Sequence, residues 1–134
     1  MDESPLAAEF GVRRTLAAYC QLCDDGEFGA LAAQFTVDGV FVFRDEVVTG
    51  RPALETWFAS HQPPHRRGKH LTTNTIVEVA GDKASAVSDF LFVVATPAGI
   101  EPALAGRYRD ELSKVEGRWL IQRREAMLMQ GLKA

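Results

Sequence analysis

The sequence predicts an α+β fold in which a curved antiparallel sheet wraps partly around helices from the first part of the chain. Two observations lead to this prediction. Helical spacing of apolar residues is confined to the first 61 residues, and strand-like segments joined by hairpin turns follow a proline-rich break at 61–68. Helices first and hairpin-linked strands afterwards are typical of α+β proteins. The 134 residues fit one domain, since domains average about 150 residues.

The composition is that of a globular protein without an affinity for polyanions. Hydrophobic residues make up 46% of the chain, charged residues make up 25%, and the formal net charge is −3. Binding to a phosphate backbone needs a clustered cationic stripe, so we expect no nucleic-acid partner. No apolar run reaches the roughly 18 residues of a membrane helix, and the acidic N-terminus is unlike a secretory signal. We therefore expect a cytoplasmic protein with no membrane partner.

Three helices are predicted before the break. The first begins at Ser4-Pro5, a capping residue followed by proline, and ends at Asp24-Asp25-Gly26. A short second helix runs from Phe28 to Phe35, and a third begins at Gly50-Arg51-Pro52. Apolar residues at spacings of three and four give the first and third helices one buried face each. These faces consist of Val12, Leu16, Tyr19, Cys20 and Cys23, and of Leu54, Trp57, Phe58 and His61.

Five strands are predicted from runs rich in β-branched and aromatic residues. They cover residues 40–43, 70–79, 84–95, 104–115 and 119–129. Three helices can cover one face of the sheet. The space between the helices and the curved sheet is a usual location for a small-molecule site. The strand at 84–95 is apolar on both faces, which indicates a homodimer or homotrimer that covers the outer face.

Cys20 and Cys23 form a C-x-x-C pattern. A redox pair of this kind belongs at the junction of a strand and the helix that follows it, whereas these residues fall late in a helix. No further Cys/His pair with zinc spacing accompanies them. We expect two buried structural thiols and no metal site.

The chain has three histidines, and His70 is the candidate functional one. It begins a strand and alternates with Thr72, Asn74 and Ile76, so these four residues share one predicted face. Because a lone histidine carries little information, a capping or surface residue is the alternative interpretation. His61, His65 and the basic residues Arg66, Arg67 and Lys69 are expected to be solvated loop residues.

Asp24 ends the first helix on its apolar side, since Leu16, Cys20 and Asp24 follow at spacings of four. A carboxylate at a helix C-terminus is disfavoured by about 0.3–1 kcal/mol, so another group should hold it. An imidazole that donates its Nδ1–H to the carboxylate would do so and would become a better base at its other nitrogen. A solvated turn residue is the alternative, because Asp-Asp-Gly is ordinary turn composition.

Tyr19, Tyr108 and Arg123 are also predicted to face inward. A buried tyrosine hydroxyl needs a hydrogen-bond partner, so both tyrosines are expected to be core aromatic residues with hydrogen-bonded hydroxyls. Arg123 follows Trp119 and Ile121 on one strand face. A buried arginine must be paired, and it would serve either in an ion pair or in binding an anion.

Four local motifs, in this order, resemble the SnoaL-like proteins of the nuclear transport factor two-like superfamily. They are CDDGEFGAL at 23–31, GRPAL at 50–54, KHLTTN at 69–74, and AGRYRD at 105–110 combined with GRWLIQR at 117–123. The resemblance implies one SnoaL-like domain over residues 1–134, built as a cone-shaped α+β barrel. It also implies a dimer or trimer with a deep apolar pocket and no cofactor.

Similar proteins include scytalone dehydratase and hexachlorocyclohexane dehydrochlorinase, in which an Asp–His pair abstracts a proton during elimination. The resemblance places that pair at Asp24 and His70 in this chain. Two positions depart from the dehydratase pattern: Cys23 stands where it has a tyrosine, and Ser88 aligns near its second histidine. The reaction therefore does not transfer with the fold.

The expected function is that of a cofactor-independent lyase, isomerase or cyclase with His70 as base and Asp24 holding it. Tyr19 or Arg123 would stabilise developing negative charge. The substrate would be an apolar ring compound such as a polyketide or terpenoid intermediate. The alternative is a binding protein, or an accessory subunit of a ring-hydroxylating dioxygenase. The expected substrate-binding residues are Tyr19, Trp57, Asn74, Ser88, Phe90, Tyr108 and Arg123.

Overall fold

Three helices and one six-stranded sheet make up the computed structural model, which describes residues 3–131. The sheet order is β2-β1-β6-β5-β4-β3, and β1 runs parallel to β6 while all other neighbours are antiparallel. The sheet is therefore mixed, whereas the sequence predicted a purely antiparallel one. The elements are α1 (Pro5–Asp24), α2 (Phe28–Ala32), β1 (Phe35–Phe43), β2 (Glu46–Thr49), α3 (Arg51–His61), β3 (Lys69–Ala80), β4 (Lys83–Thr96), β5 (Gly99–Val115) and β6 (Arg118–Leu128).

The ends of α1 follow from local sequence. The Ser4 hydroxyl accepts a hydrogen bond from the Ala7 backbone N–H at 3.1 Å, and Pro5 occupies the first turn, where no N–H is needed. Beyond Asp24 the chain turns at Gly26, whose φ of 74° favours glycine. The Arg67 guanidinium fills the space that a Cβ at this position would need. The turn thus brings the loop after α3 against the end of α1.

The first half of the sheet differs from its prediction. Phe35 begins β1 and does not end the second helix, because it is fully buried and pairs with Ile121 of β6. The sequence analysis missed β2, since its residues are mostly exposed and carry no buried alternation. The break after α3 contains a single 3₁₀ turn at Pro64–Arg66. Strands β3 to β6 coincide with the predicted strands to within a few residues at each end.

The helices pack on one face of the sheet, and the core lies between them. The buried face of α1 contacts β3 and β6, while α3 packs on α2 and β1. On the opposite face Leu71 and Leu91 are paired across β3 and β4, and 52% and 37% of their surfaces are exposed. The oligomer inferred from this apolar face stays a prediction. Within residues 3–131, no helix is both long and apolar enough to cross a membrane.

An irregularity in β6 decides which arginine faces the core. The pairing of β5 with β6 shifts between Glu111 and Leu112, so β6 contains one extra residue before Arg123. Side chains alternate along a strand, and an extra residue therefore reverses the faces of those that follow. Arg123 pairs with Glu125 at 3.4 Å and is 42% exposed. The prediction that Arg123 faces inward is wrong, and the inward arginine is Arg124.

Arg124 and Asp110 form a fully buried ion pair across β5 and β6. The Nε and Nη2 atoms of Arg124 donate to the two carboxylate oxygens at 2.7 and 3.0 Å, and neither side chain is exposed to solvent. Two parallel bonds of this kind pair both carboxylate oxygens with the guanidinium in one geometry. Removal of one partner leaves the other as an unpaired buried charge.

We expect Arg124→Ala to lower the free energy of unfolding by about 3–5 kcal/mol, because it strands the Asp110 carboxylate in the core. Arg123→Ala is the matched control, and the loss of its exposed pair should cost about 1 kcal/mol or less. Urea denaturation followed by circular dichroism measures both effects. Equal losses in the two variants would contradict the assignment of Arg124 as the buried residue.

Candidate active site

A cavity of about 740 Å³ lies between the helices and the inner face of the sheet. Its size matches that of small-molecule sites, which span roughly 300–1,000 Å³. Aromatic side chains from α3 and three strands form a large part of the wall. They are Phe41, Phe43, Trp57, Phe58, Phe90, Phe92 and Tyr108.

Asp24 and His70 meet at the edge of this cavity. Asp24 is the last residue of α1, His70 is the second residue of β3, and their side chains are 5% and 10% exposed. His70 Nδ1 lies 2.6 Å from Asp24 Oδ1. The backbone N–H of His70 also donates to the same carboxylate, at 3.1 Å from Oδ2. One residue thus supplies two donors to Asp24, and these offset the unfavourable position of a carboxylate at a helix C-terminus.

The hydrogen bond defines the tautomer of His70. A carboxylate only accepts, so the proton is on Nδ1 and the lone pair of the neutral ring is on Nε2. His70 lines the cavity, and within residues 3–131 its Nε2 has no hydrogen-bond partner. The ring packs against Phe92 with centroids 4.4 Å apart, which limits its rotation. The site therefore presents one oriented basic nitrogen to a bound molecule.

Two tyrosines present hydroxyl donors to the same cavity. Tyr19 of α1 and Tyr108 of β5 have ring centroids 6.0 Å apart. Among the hydrogen bonds between residues 3–131, neither hydroxyl has a partner, so the expected hydrogen bonds of both tips stay a prediction. The Arg124 guanidinium lies 4.3 Å from the centroid of the Tyr19 ring and 3.7 Å from that of Tyr108. Burial raises the pKa of both phenols, and they remain O–H donors at neutral pH.

The two cysteines are free thiols in the core. Burial raises the pKa of Cys23 to about 12 and also raises the pKa of Cys20. The Cys20 thiol lies 3.2 Å from the Thr72 hydroxyl. Because the thiolate is the reactive form, both groups are poor nucleophiles at neutral pH. Within residues 3–131, no group of three metal-ligating side chains comes together.

The remaining predicted substrate-binding residues divide into two groups. Trp57 and Phe90 line the cavity together with both tyrosines. Arg123 faces outward, and Ser88, which is 1% exposed, is buried beneath the wall without lining the cavity. Asn74 is displaced by an irregularity between Thr73 and Ile76, takes a φ of 54°, and donates to the Asp89 carboxylate at 3.1 Å. The strand alternation that placed Asn74 beside His70 does not hold across that irregularity.

The sequence analysis missed the polar residues at the mouth of the cavity. His61 and His65 are accessible to solvent, as expected, and both also line the mouth together with Arg44, Glu46 and Arg66. The His61 ring stacks on Trp57 with centroids 3.8 Å apart. The apolar spacing of α3 already placed His61 on the inward side, which is the signal that identifies it. Loop sequence carries no comparable signal for His65 or Arg66.

Structures of known proteins share this fold. Rv3472 of Mycobacterium tuberculosis, a protein of unknown function, is 34% identical, with 91% of this chain and 76% of that chain covered and a TM-score of 0.86. An NTF2-like protein with a cystatin-like fold from Novosphingobium aromaticivorans is 21% identical, with 92% and 83% covered and a TM-score of 0.86. A provisionally assigned scytalone dehydratase from the same organism is 24% identical, with 93% and 86% covered and a TM-score of 0.81.

No protein of curated function matches the sequence. The family model of the SnoaL-like domain, in contrast, matches residues 4–125, which include the helices and nearly all of the sheet. The order of elements, the mixed curved sheet and this match agree with one another. The chain therefore belongs to the SnoaL-like family.

Proposed function

We propose that this protein is an enzyme that removes a proton from a small apolar ring compound, with His70 as general base and Asp24 as the residue that orients it. The observation that carries the proposal is the 2.6 Å contact between Asp24 Oδ1 and His70 Nδ1 at a cavity wall. The reaction class would be that of a lyase, isomerase or cyclase whose first step is the removal of a proton from carbon.

The proton would pass from the substrate to Nε2 of His70, and the ring would become an imidazolium. The Asp24 carboxylate stabilises that cation, because it is already in contact with Nδ1–H and need not move. The low exposure of both side chains strengthens this attraction by excluding water. A base positioned in this way contributes about 10²- to 10⁴-fold to the rate.

Negative charge that develops on the substrate would be stabilised by the hydroxyls of Tyr19 and Tyr108. Both are free to donate, and both rings lie against the guanidinium of Arg124. The positive charge of Arg124 lies against both rings. It would stabilise negative charge on an oxyanion that accepts hydrogen bonds from the phenol hydroxyls. The two tyrosines thus take the role of stabilising negative charge, which the sequence analysis gave to Tyr19 or Arg123.

The wall chemistry supports the choice of substrate. Eight Phe, Tyr and Trp side chains line a cavity of about 740 Å³, which has room for a compound of several fused rings. Polyketide and terpenoid intermediates have this size and apolar character. Proton removal next to a ring carbonyl would form an enolate, whose oxygen is the atom that the tyrosines would bind.

We expect the wild-type protein to accelerate hydrogen–deuterium exchange at the carbon next to the carbonyl of 2-tetralone, a neutral bicyclic ketone. His70→Gln should lower the catalysed rate by about 10²- to 10⁴-fold, because it removes the base while the backbone bond to Asp24 remains. Proton NMR in deuterium oxide measures the exchange. An unaltered rate in H70Q, or no acceleration by the wild type, would contradict the proposal.

Asp24→Asn should also lower the exchange rate, by about 10²-fold, since an amide does not stabilise the imidazolium. Asp25→Asn is the matched control, because Asp25 is the adjacent, exposed carboxylate. The same NMR measurement compares the two variants. A loss of the same size in D25N would show that net charge, and not the contact with His70, controls the rate.

Tyr108→Phe should slow the exchange by about 10-fold or more while the urea midpoint of unfolding stays unchanged. The hydroxyl bonds no described protein group, so its removal breaks nothing in the folded state. A lowered midpoint with an unchanged rate would instead assign the hydroxyl a structural role.

A further inference from the structure

The mouth of the cavity carries more positive than negative charge. Arg44, from the turn between β1 and β2, and His65 and Arg66, from the 3₁₀ turn, are exposed residues of the lining. The ends of β4 and β5 contribute uncharged lining residues, which are Val94, Ala95, Thr96, Ala103 and Leu104. The cationic part of the lining therefore comes from two turns of the chain.

The single carboxylate at the mouth is already engaged. The Trp57 Nε1–H donates to Glu46 Oε2 at 3.1 Å, and His61 Nε2 lies 3.9 Å from the same oxygen. Arg44 contacts the Phe43 ring at 5.2 Å from its centroid. Within residues 3–131, neither Arg44 nor Arg66 forms an ion pair with a carboxylate. Two guanidinium groups beside the entrance are thus available to an anion.

We propose that the substrate carries one carboxylate, which Arg44 and Arg66 bind at the mouth while its apolar ring system lies deeper, among the aromatic residues and His70. A guanidinium group binds a carboxylate through two parallel hydrogen bonds. The two arginines exceed Glu46 by one formal charge, which suits a monoanion better than a doubly charged phosphate. The inference rests on the proposed function in taking this cavity as the substrate site, and it explains how a substrate would be oriented towards the base.

A pair of probes that differ only in charge tests the proposal. 2-Naphthylacetate and 2-naphthylacetamide have the same ring and nearly the same shape, and isothermal titration calorimetry at low and high salt gives their affinities. The wild type should bind the carboxylate about tenfold more tightly than the amide at low salt, with the difference reduced at high salt. Inorganic phosphate, as a competitor, should displace the carboxylate only weakly.

The double variant R44Q/R66Q should lose this preference and should bind the amide as the wild type does. R109Q/R118Q is the matched control, since it removes two exposed arginines outside the cavity lining and changes the net charge equally. Equal binding of both probes by the wild type, equal loss in the two double variants, or no binding of either probe at millimolar concentration would each overturn the proposal. Tighter binding of phosphate than of the carboxylate would also overturn it.

The binding test of the anion site and the exchange test of His70 as base have independent outcomes. H70Q retains both arginines, so it should keep the preference for the carboxylate whether or not it catalyses exchange. The ketone used for the exchange assay is neutral, so the wild-type exchange rate does not depend on an anion-binding group, and the control R109Q/R118Q should retain that rate. A failure of the dyad thus leaves the preference intact, and a failure of the anion site leaves the exchange rate intact.

Discussion

The Asp24 carboxylate accepts hydrogen bonds from the backbone and the ring of His70, and this contact joins the helical part of the chain to the sheet. Without it, the end of α1 and the start of β3 would each present unsatisfied polar groups at the wall of an apolar cavity. Burial makes such groups costly, so their pairing fixes the relative position of both elements. The lining of the cavity depends on that position, since α1 contributes Tyr19 and Cys23 to it.

Behind this contact lies a second polar layer. Arg124 is held by Asp110 on one side and by two aromatic rings on the other, so a permanent positive charge is enclosed in the core. Its third nitrogen, Nη1, is buried without a hydrogen-bond partner among the described residues. The Arg124 charge lies against the two tyrosine rings that line the cavity. It partly opposes the rise in the pKa of both phenols that burial causes.

The sequence predicted the elements well where periodicity is strong and poorly where one residue alters it. The periodicity predicted the helical face that ends at Asp24 and the strand that begins at His70. The resemblance to known dehydratases predicted that these two residues form a pair. Asn74 and Arg123 were placed on the wrong face, because an irregularity in β3 and an extra residue in β6 reverse the alternation. No propensity marks those positions, since the pairing of neighbouring strands creates them. Arg124 was missed for the same reason.

The backbone share of the Asp24 contact has a consequence for how such domains diverge. The amide N–H at position 70 belongs to the main chain, so every residue except proline would supply it. A substitution at His70 therefore removes the ring from the contact while the backbone bond to the carboxylate remains. The junction between α1 and β3 can thus outlast a change in the side chain that faces the cavity.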